Sequence, residues 1–240
     1  MMRALLTLLA LTPFSAAFEI PASSTQLIVG IADTWDSSHA TLRFYEKSRS
    51  KWQAVGPAMP ARLGRSGMAW GLGLHPLPQD ASMKKEGDGR APAGVFALGG
   101  VWGYAKDIQR HPKLPYKQVT PRDLWIEDPE HSLYNHHVVL PHAPTTPWEK
   151  KQQMKQTDPA HALKLFIKHN APPSVAQGMG SSIFFHIWRA DGTKPTAGCT
   201  TMAAPQLQQL IARIDPTQAP LYVLLPRPEY ERLGKSWKLP

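Results

Sequence analysis

Residues Phe184 to Ile214 read "FFHIWRADGTKPTAGCTTMAAPQLQQLIARI", and two different periods meet within them. The run "SSIFFHIW", Ser181 to Trp188, is short and apolar, with a glycine before it and a loop containing glycine and proline after it; that pattern reads as a strand. "APQLQQLIARI" places Leu207, Leu210, Ile211 and Ile214 at i, i+3, i+4 and i+7, one apolar face of a helix. Pro205 suits the first helical turn, Thr200 or Thr201 is a candidate cap, and Asp215-Pro216 ends the helix. "PLYVLLP" then returns as a strand. A strand, a tight loop, one amphipathic helix and another strand imply a sheet with helices laid on it.

The rest of the chain extends that pattern. "TQLIVGIAD" reads as a buried strand, "ATLRFYEK" alternates, and Trp52 to Val55 makes a third strand, with turns rich in Ser, Asp and Gly between them. "HVVLP" and "LKLFIKHN" are further strands, whereas Gly56 to Gly103 is dense in glycine and shows no helical period. Trp148 to Thr157 reads as a polar surface helix. Twenty-four prolines spread along 240 residues oppose a helical bundle. The expected fold is mainly β with a few helices, in one domain spanning 18–240 with its core at about 26–226.

The first residues, "MMRALLTLLALTPFSAAFEI", carry Arg3, an apolar run from Ala4 to Leu11 and a small-residue site at Ser15-Ala16-Ala17. They read as a signal peptide over 1–17, because the run is shorter than the roughly 20 residues that span a bilayer. No cysteine lies in or beside it, which excludes a lipid-modified N-terminus. The expectation is an exported, periplasmic protein without stable membrane insertion. The net charge of +9 is dispersed, and no nucleic-acid motif accompanies it. A solvated basic surface is the simpler account, with no nucleic-acid partner.

The single cysteine, Cys199, lies thirteen positions after His186 and has no second thiol to pair with. In an oxidising compartment a lone exposed thiol is a liability unless it reacts. Its place between a strand and a helix start suggests a thiolate favoured by the helix dipole and by backbone N–H groups. The glycine and proline of the connecting loop allow the chain to turn back, bringing the imidazole towards the sulfur. A cysteine–histidine pair of this kind is a nucleophile with its general base. Buried free cysteines and structural histidines are the bland alternative.

These residues resemble a known family. "SSIFFHIW…GTKPTAGCTTM" is similar to the signature of L,D-transpeptidases, the YkuD-like catalytic domain, in which a histidine precedes Ser/Thr-x-Gly-Cys. "KKEGDGRAPAGVFALGGVWGY" and "DLWIEDPEHSLYN" resemble two further segments of that family, in the same order. The resemblance implies a compact β-rich sandwich and acyl transfer on peptidoglycan stem peptides. It assigns Cys199 as nucleophile and His186 as general base, with Thr196, Ala197 and Gly198 matching the Ser/Thr-x-Gly positions. Gly198 and Cys199 amides become candidates for the oxyanion, and Thr196, Thr200, Arg90, Trp188, Tyr134 and Asn135 for holding substrate. No metal or organic cofactor is implied, a monomer is expected, and a carbapenem is expected to acylate the thiol.

The chain also departs from the family pattern. Ala197 stands where a second histidine is frequent, Thr201 where an arginine or asparagine often follows the cysteine, and Ile187 where glycine commonly follows the first histidine. These leave acyl-enzyme formation intact and keep a rival open, an L,D-carboxypeptidase or amidase-type thiol hydrolase using the same pair. A binding domain that has lost the chemistry and a sortase-like enzyme are the further alternatives. "EGDGRAPAG" lacks the Gly-Lys-Ser/Thr of a phosphate loop and suits a cleft wall. His136, His137 and His142 lack a carboxylate at ligand spacing and are not read as a zinc site. Asp128 is a loop residue that could line the cleft, and Arg189 could bracket substrate with Trp188.

Overall fold

The computed structural model describes residues 18–240; the expected signal peptide at 1–17 lies outside them. In chain order the strands are β1 Gln26–Ala32, β2 His39–Ser48, β3 Lys51–Ala54, β4 Met59–Arg62, β5 Met68–Trp70, β6 Ala91–Gly103 and β7 Tyr116–Gln118. They continue as β8 Asp123–Trp125, β9 His137–Val139, β10 Leu163–Ile167, β11 Phe184–Ile187, β12 Thr200–Met202 and β13 Leu221–Pro226. Three α-helices accompany them: α1 Pro147–Lys151, α2 Ala204–Arg213 and α3 Arg227–Leu233.

The fold is mainly β, as the strand patterns imply. The pairing runs β1-β13-β6-β10-β11-β12-β4-β2-β3, and β1 also pairs with β2, so the sheet closes on itself. Closure leaves few free edges, which suits a chain with so many short strands. Inside, Leu27, Leu42, Phe44, Phe96, Phe185 and Tyr222 are almost wholly buried, and α2 adds Leu207, Leu210 and Ile211 to the same core. Each such side chain contributes about 1.5–3 kcal/mol by leaving water. The predicted apolar face of α2 is therefore the face that packs.

Several elements differ from expectation. The polar helix ends at Lys151, because Gln153 bridges to Leu124 and the Met154 N–H bonds to the Asp123 carbonyl at 2.9 Å, drawing the chain into sheet-like pairing. The cap of α2 is Ala203 without a side-chain bond; Thr200 and Thr201 belong to β12. The longest strand, β6, lies in the glycine-rich stretch, and α3 follows β13 directly.

Glycine is required within β6. Gly94 has φ +134°, and a Cβ there would fall 1.9 Å from the buried His75 ring, whose Nδ1 accepts the Val95 N–H at 3.0 Å. Gly94→Ala is expected to cost about 3 kcal/mol, lowering the melting temperature by roughly 6–12 °C for a chain of this size. A thermal melt matching the parent protein would contradict that.

Candidate active site

The cysteine turn is built by Thr196. Its Oγ1 accepts the Gly198 N–H at 3.0 Å and donates to the Cys199 carbonyl at 2.7 Å. Its own N–H and C=O are tied to the segment after β4, with Thr196 N–H donating to Leu63 O and Arg65 N–H to Thr196 O, both at 2.8 Å. Gly198 has φ +155°, and a Cβ there would sit 2.9 Å from the Arg90 carbonyl, so only glycine lets the turn lie this close to the neighbouring chain. The turn delivers Cys199 directly into β12, which pairs in parallel with β11.

That delivery changes the electrostatics expected for the thiol. The three residues of β12, about 10 Å of chain, and the cap Ala203 separate Cys199 from α2, so Cys199 is not at the helix start where the dipole is felt. Burial pushes the thiol up to about 11; the Phe184 N–H, Lys164 and Lys84 oppose this, and the Glu127 carboxylate adds to it. The resting sulfur is a thiol, not the depressed thiolate inferred from a helix-entry position. It is half-buried and donates to the Ser182 carbonyl at 3.4 Å. Ser182 has a left-handed backbone, φ +57°, and its N–H donates to Asn135 Oδ1 at 2.9 Å.

β11 alternates across the sheet. Phe185 faces the main core, its ring 4.6 Å from that of Tyr222. Phe184 packs instead in a second apolar cluster with Trp125, Phe166, Val119 and Met154, against which Cys199 also rests. His186 shares the Phe184 side. Its Nδ1 lies 2.8 Å from the Ile187 carbonyl and must donate, which leaves the lone pair on Nε2. Burial lowers the imidazole to about 4, outweighing the Ile187 and Ala160 carbonyls that favour the charged ring.

His186 and Cys199 open onto one cavity of about 300 Å³. Among the described residues no hydrogen bond joins the ring to the sulfur; each is held by backbone at the cavity wall. Opposite His186 on β10 stands Lys164, nearly buried, its Nζ donating to the Met154 carbonyl at 2.9 Å. Burial brings this ammonium down to about 8, against the pull of Cys199 and Glu127. On the rim, Glu86 accepts from Tyr134 and from Ser181 at 2.7 Å. Glu127 is open to solvent from the cavity though ringed by protein, and burial raises its carboxyl. Lys84 is braced by Asp88 at 2.5 Å.

The other expected residues divide. Thr196 and Gly198 line the cavity, but the Gly198 N–H is already bonded to Thr196 Oγ1. Thr200 points into the core, 3.0 Å from the Tyr222 hydroxyl, and so cannot touch substrate. Arg90 sends its guanidinium away, to Asp36 at 3.2 Å and the Met68 carbonyl at 2.9 Å, and lines a different cavity. Asn135 is a buried scaffold, accepting from Trp125 Nε1 at 2.8 Å and donating to the Asn170 carbonyl at 2.7 Å. Tyr134 reaches the rim only through Glu86. Trp188 packs against Gly192, whereas Arg189 does line the cavity. Asp128 is held by Trp148 Nε1 at 2.8 Å and lies outside the cavity lining.

The three histidines weighed as metal ligands are held separately: His136 by the Tyr134 carbonyl, His137 by Asp123 and His142 by the Ala143 carbonyl, each at 2.8 Å. Among the described residues no group of three His, Cys, Asp or Glu side chains could hold a metal ion, and no helix is long and apolar enough to cross a membrane. Lys164 and His161 lie in no motif, whereas Glu86 and Glu127 lie inside the two family-like segments without being singled out. A lysine in the middle of the apolar strand "LKLFI" was the one legible sign.

The family model of the YkuD L,D-transpeptidase catalytic domain matches residues 34–223, and the chain belongs to that family. No curated protein and no solved structure matches the chain significantly. The matched span runs from the residues after β1 into β13 and includes both Cys199 and His186.

Proposed function

We propose that the protein is an exported cysteine acyltransferase that acts on peptidoglycan stem peptides, with Cys199 as nucleophile and His186 as base. The observation that carries the reading is that these two side chains, one on β11 and one in the turn leading into the adjacent parallel β12, line one cavity in a chain of this family. The sulfur attacks the carbonyl carbon of the donor's scissile peptide bond while His186 Nε2 takes the thiol proton. The C–N bond breaks, the leaving amine receives that proton, and a thioester remains on Cys199. An acceptor amine then attacks the thioester, its proton passing to His186 and on to the departing sulfur. The Cys199 amide is the oxyanion donor, and the Lys164 ammonium offsets charge growing at the sulfur and oxygen. The signal-peptide reading of residues 1–17 accords with a periplasmic site of action.

The test supplies purified protein with a disaccharide tetrapeptide and an excess of a free D-amino acid. The expected results are a thioester adduct by intact mass and exchange of the terminal residue. Cleavage without incorporation would instead favour the hydrolase reading, and neither product would overturn both. A carbapenem is expected to leave a stable adduct on Cys199 in the same assay.

A further inference from the structure

The base is not left to one hydrogen bond. The short 3-10 turn Pro159–His161 begins at Asp158, whose Oδ1 accepts the Ala160 N–H at 2.9 Å. The other carboxylate oxygen of Asp158 accepts from Arg189 Nε. Arg189 lies just beyond β11, and its Nη2 sits 2.8 Å from His161 Nε2. A guanidinium has no lone pair to offer, so it donates, His161 Nε2 accepts, and the His161 proton resides on Nδ1. The His161 ring then lies flat on the His186 ring, with centroids 5.0 Å apart and planes inclined by 21°.

We propose that Asp158, Arg189 and His161 form a strap that positions the His186 base and keeps the ring stacked on it neutral. This rests on the reading of His186 as base. The Ile187 carbonyl bonds the imidazole at Nδ1 and the Ala160 carbonyl, from the same turn as His161, also faces the ring, but both act at its edge and leave its face unsupported. The stacked His161 ring supplies that support. The guanidinium has a second effect. When His186 takes the thiol proton it becomes a cation, and a cation over a neutral aromatic face is favoured, whereas over a second imidazolium it is repelled. With Nε2 occupied by a donor, His161 cannot take a proton there. Burial, then His186, Lys164 and Arg189, hold His161 down to about 3, against Asp158. The charged groups facing the pair are Lys164 from β10 and Arg189 and Asp158 from the strap, while Glu127 in the cavity acts on Lys164. All three strap residues act through His186, as positioning residues.

The experiment measures thioester formation from pH 5 to 9 in His161→Phe, His161→Ala, Arg189→Gln, the double variant His161→Phe with Arg189→Gln, and His186→Gln as reference. His161→Phe keeps a neutral ring but loses the bond from Arg189 and is expected to slow kcat less than His161→Ala, which slows it about tenfold with KM little changed. Arg189→Gln is expected to gain an acid limb, its rate beginning to fall at a higher pH than the parent's because His161 Nε2 is then free to take a proton. Burial, the larger cause, still holds the ring below an ordinary imidazole. The double variant should lack that limb, since phenylalanine cannot be protonated. A limb that persists in the double variant, or an Arg189→Gln profile that superimposes on the parent's, overturns the proposal. This pair decides the matter even if His161→Ala does not fold. Full activity in His186→Gln would instead sink the base assignment itself. His161→Ala and Arg189→Gln behaving as the parent beside an inactive His186→Gln would sink the strap alone.

Discussion

Cys199→Ala is expected to abolish thioester formation and D-amino acid exchange while the protein melts within a few degrees of the parent. The two halves of that result have separate causes. The turn that carries the residue is held by the Thr196 hydroxyl, by the Gly198 N–H and by Leu63 and Arg65, none of which involves the sulfur. What the thiol loses is one long bond to the Ser182 carbonyl and contact with the edge of the Phe184 cluster, a loss of about 1 kcal/mol. The other hydroxyl and amine side chains lining the cavity are engaged elsewhere: Lys164 with Met154, Lys84 with Asp88, Thr196 with the Cys199 carbonyl, Ser181 with Glu86 and Ser182 with Glu127. A rate at least about 10³-fold below the parent is therefore expected. Cys199→Ser should also be inactive, because a hydroxyl is a far weaker nucleophile beside a base of such low proton affinity. Intact-mass detection of a donor adduct on Cys199→Ala would show that the acyl group is carried elsewhere.

The elements that can be read from the chain are those whose side chains repeat. β2 alternates between core and solvent, and α2 shows its apolar face at helical spacing, because each buries one side only. β6 was hidden for the opposite reason: glycines at 94, 99, 100 and 103 and a proline at 92 remove the periodic signal. They are there because His75, Phe166 and Tyr116 crowd the strand. In the site, Cys199 and His186 stand out as residue types at a recognisable spacing. Whether a side chain beside them points in or out depends on backbone direction, which residue type does not reveal. Arg90 and Thr200 lie within reach of the cysteine turn along the backbone yet send their side chains to Asp36 and Tyr222. His161 and Lys164 reach the site only through the pairing of β10 with β11. That contact spans more than twenty residues and leaves no local pattern.

His186→Gln is expected to slow thioester formation by about 10²–10⁴ and to make the remaining rate steeply dependent on pH. The sign follows from the two proton affinities. Burial moves the thiol up to about 11 and the imidazole down to about 4, so at neutral pH the pair rests as thiol and neutral ring. Burial therefore works against an ion pair formed before substrate arrives. The proton must leave the sulfur as the sulfur–carbon bond forms, when developing charge at the carbonyl oxygen meets the Cys199 amide and Lys164. A base placed for that moment gives the parent a rate that varies little from pH 6 to pH 7, since neither group titrates there and Lys164, at about 8, keeps its charge. Glutamine can hold the Ile187 carbonyl through its amide but cannot accept the proton. The variant must then rely on free thiolate, whose fraction rises about tenfold per pH unit below the thiol pKa. Its logarithmic rate should climb with a slope near one from pH 6 to pH 7.5 and flatten above pH 8, where Lys164 loses its charge. A parallel profile for both proteins, or a parent whose cysteine is alkylated at a pH-independent rate above pH 6, would mean that the thiol is already ionised at rest and that His186 does not act as the base.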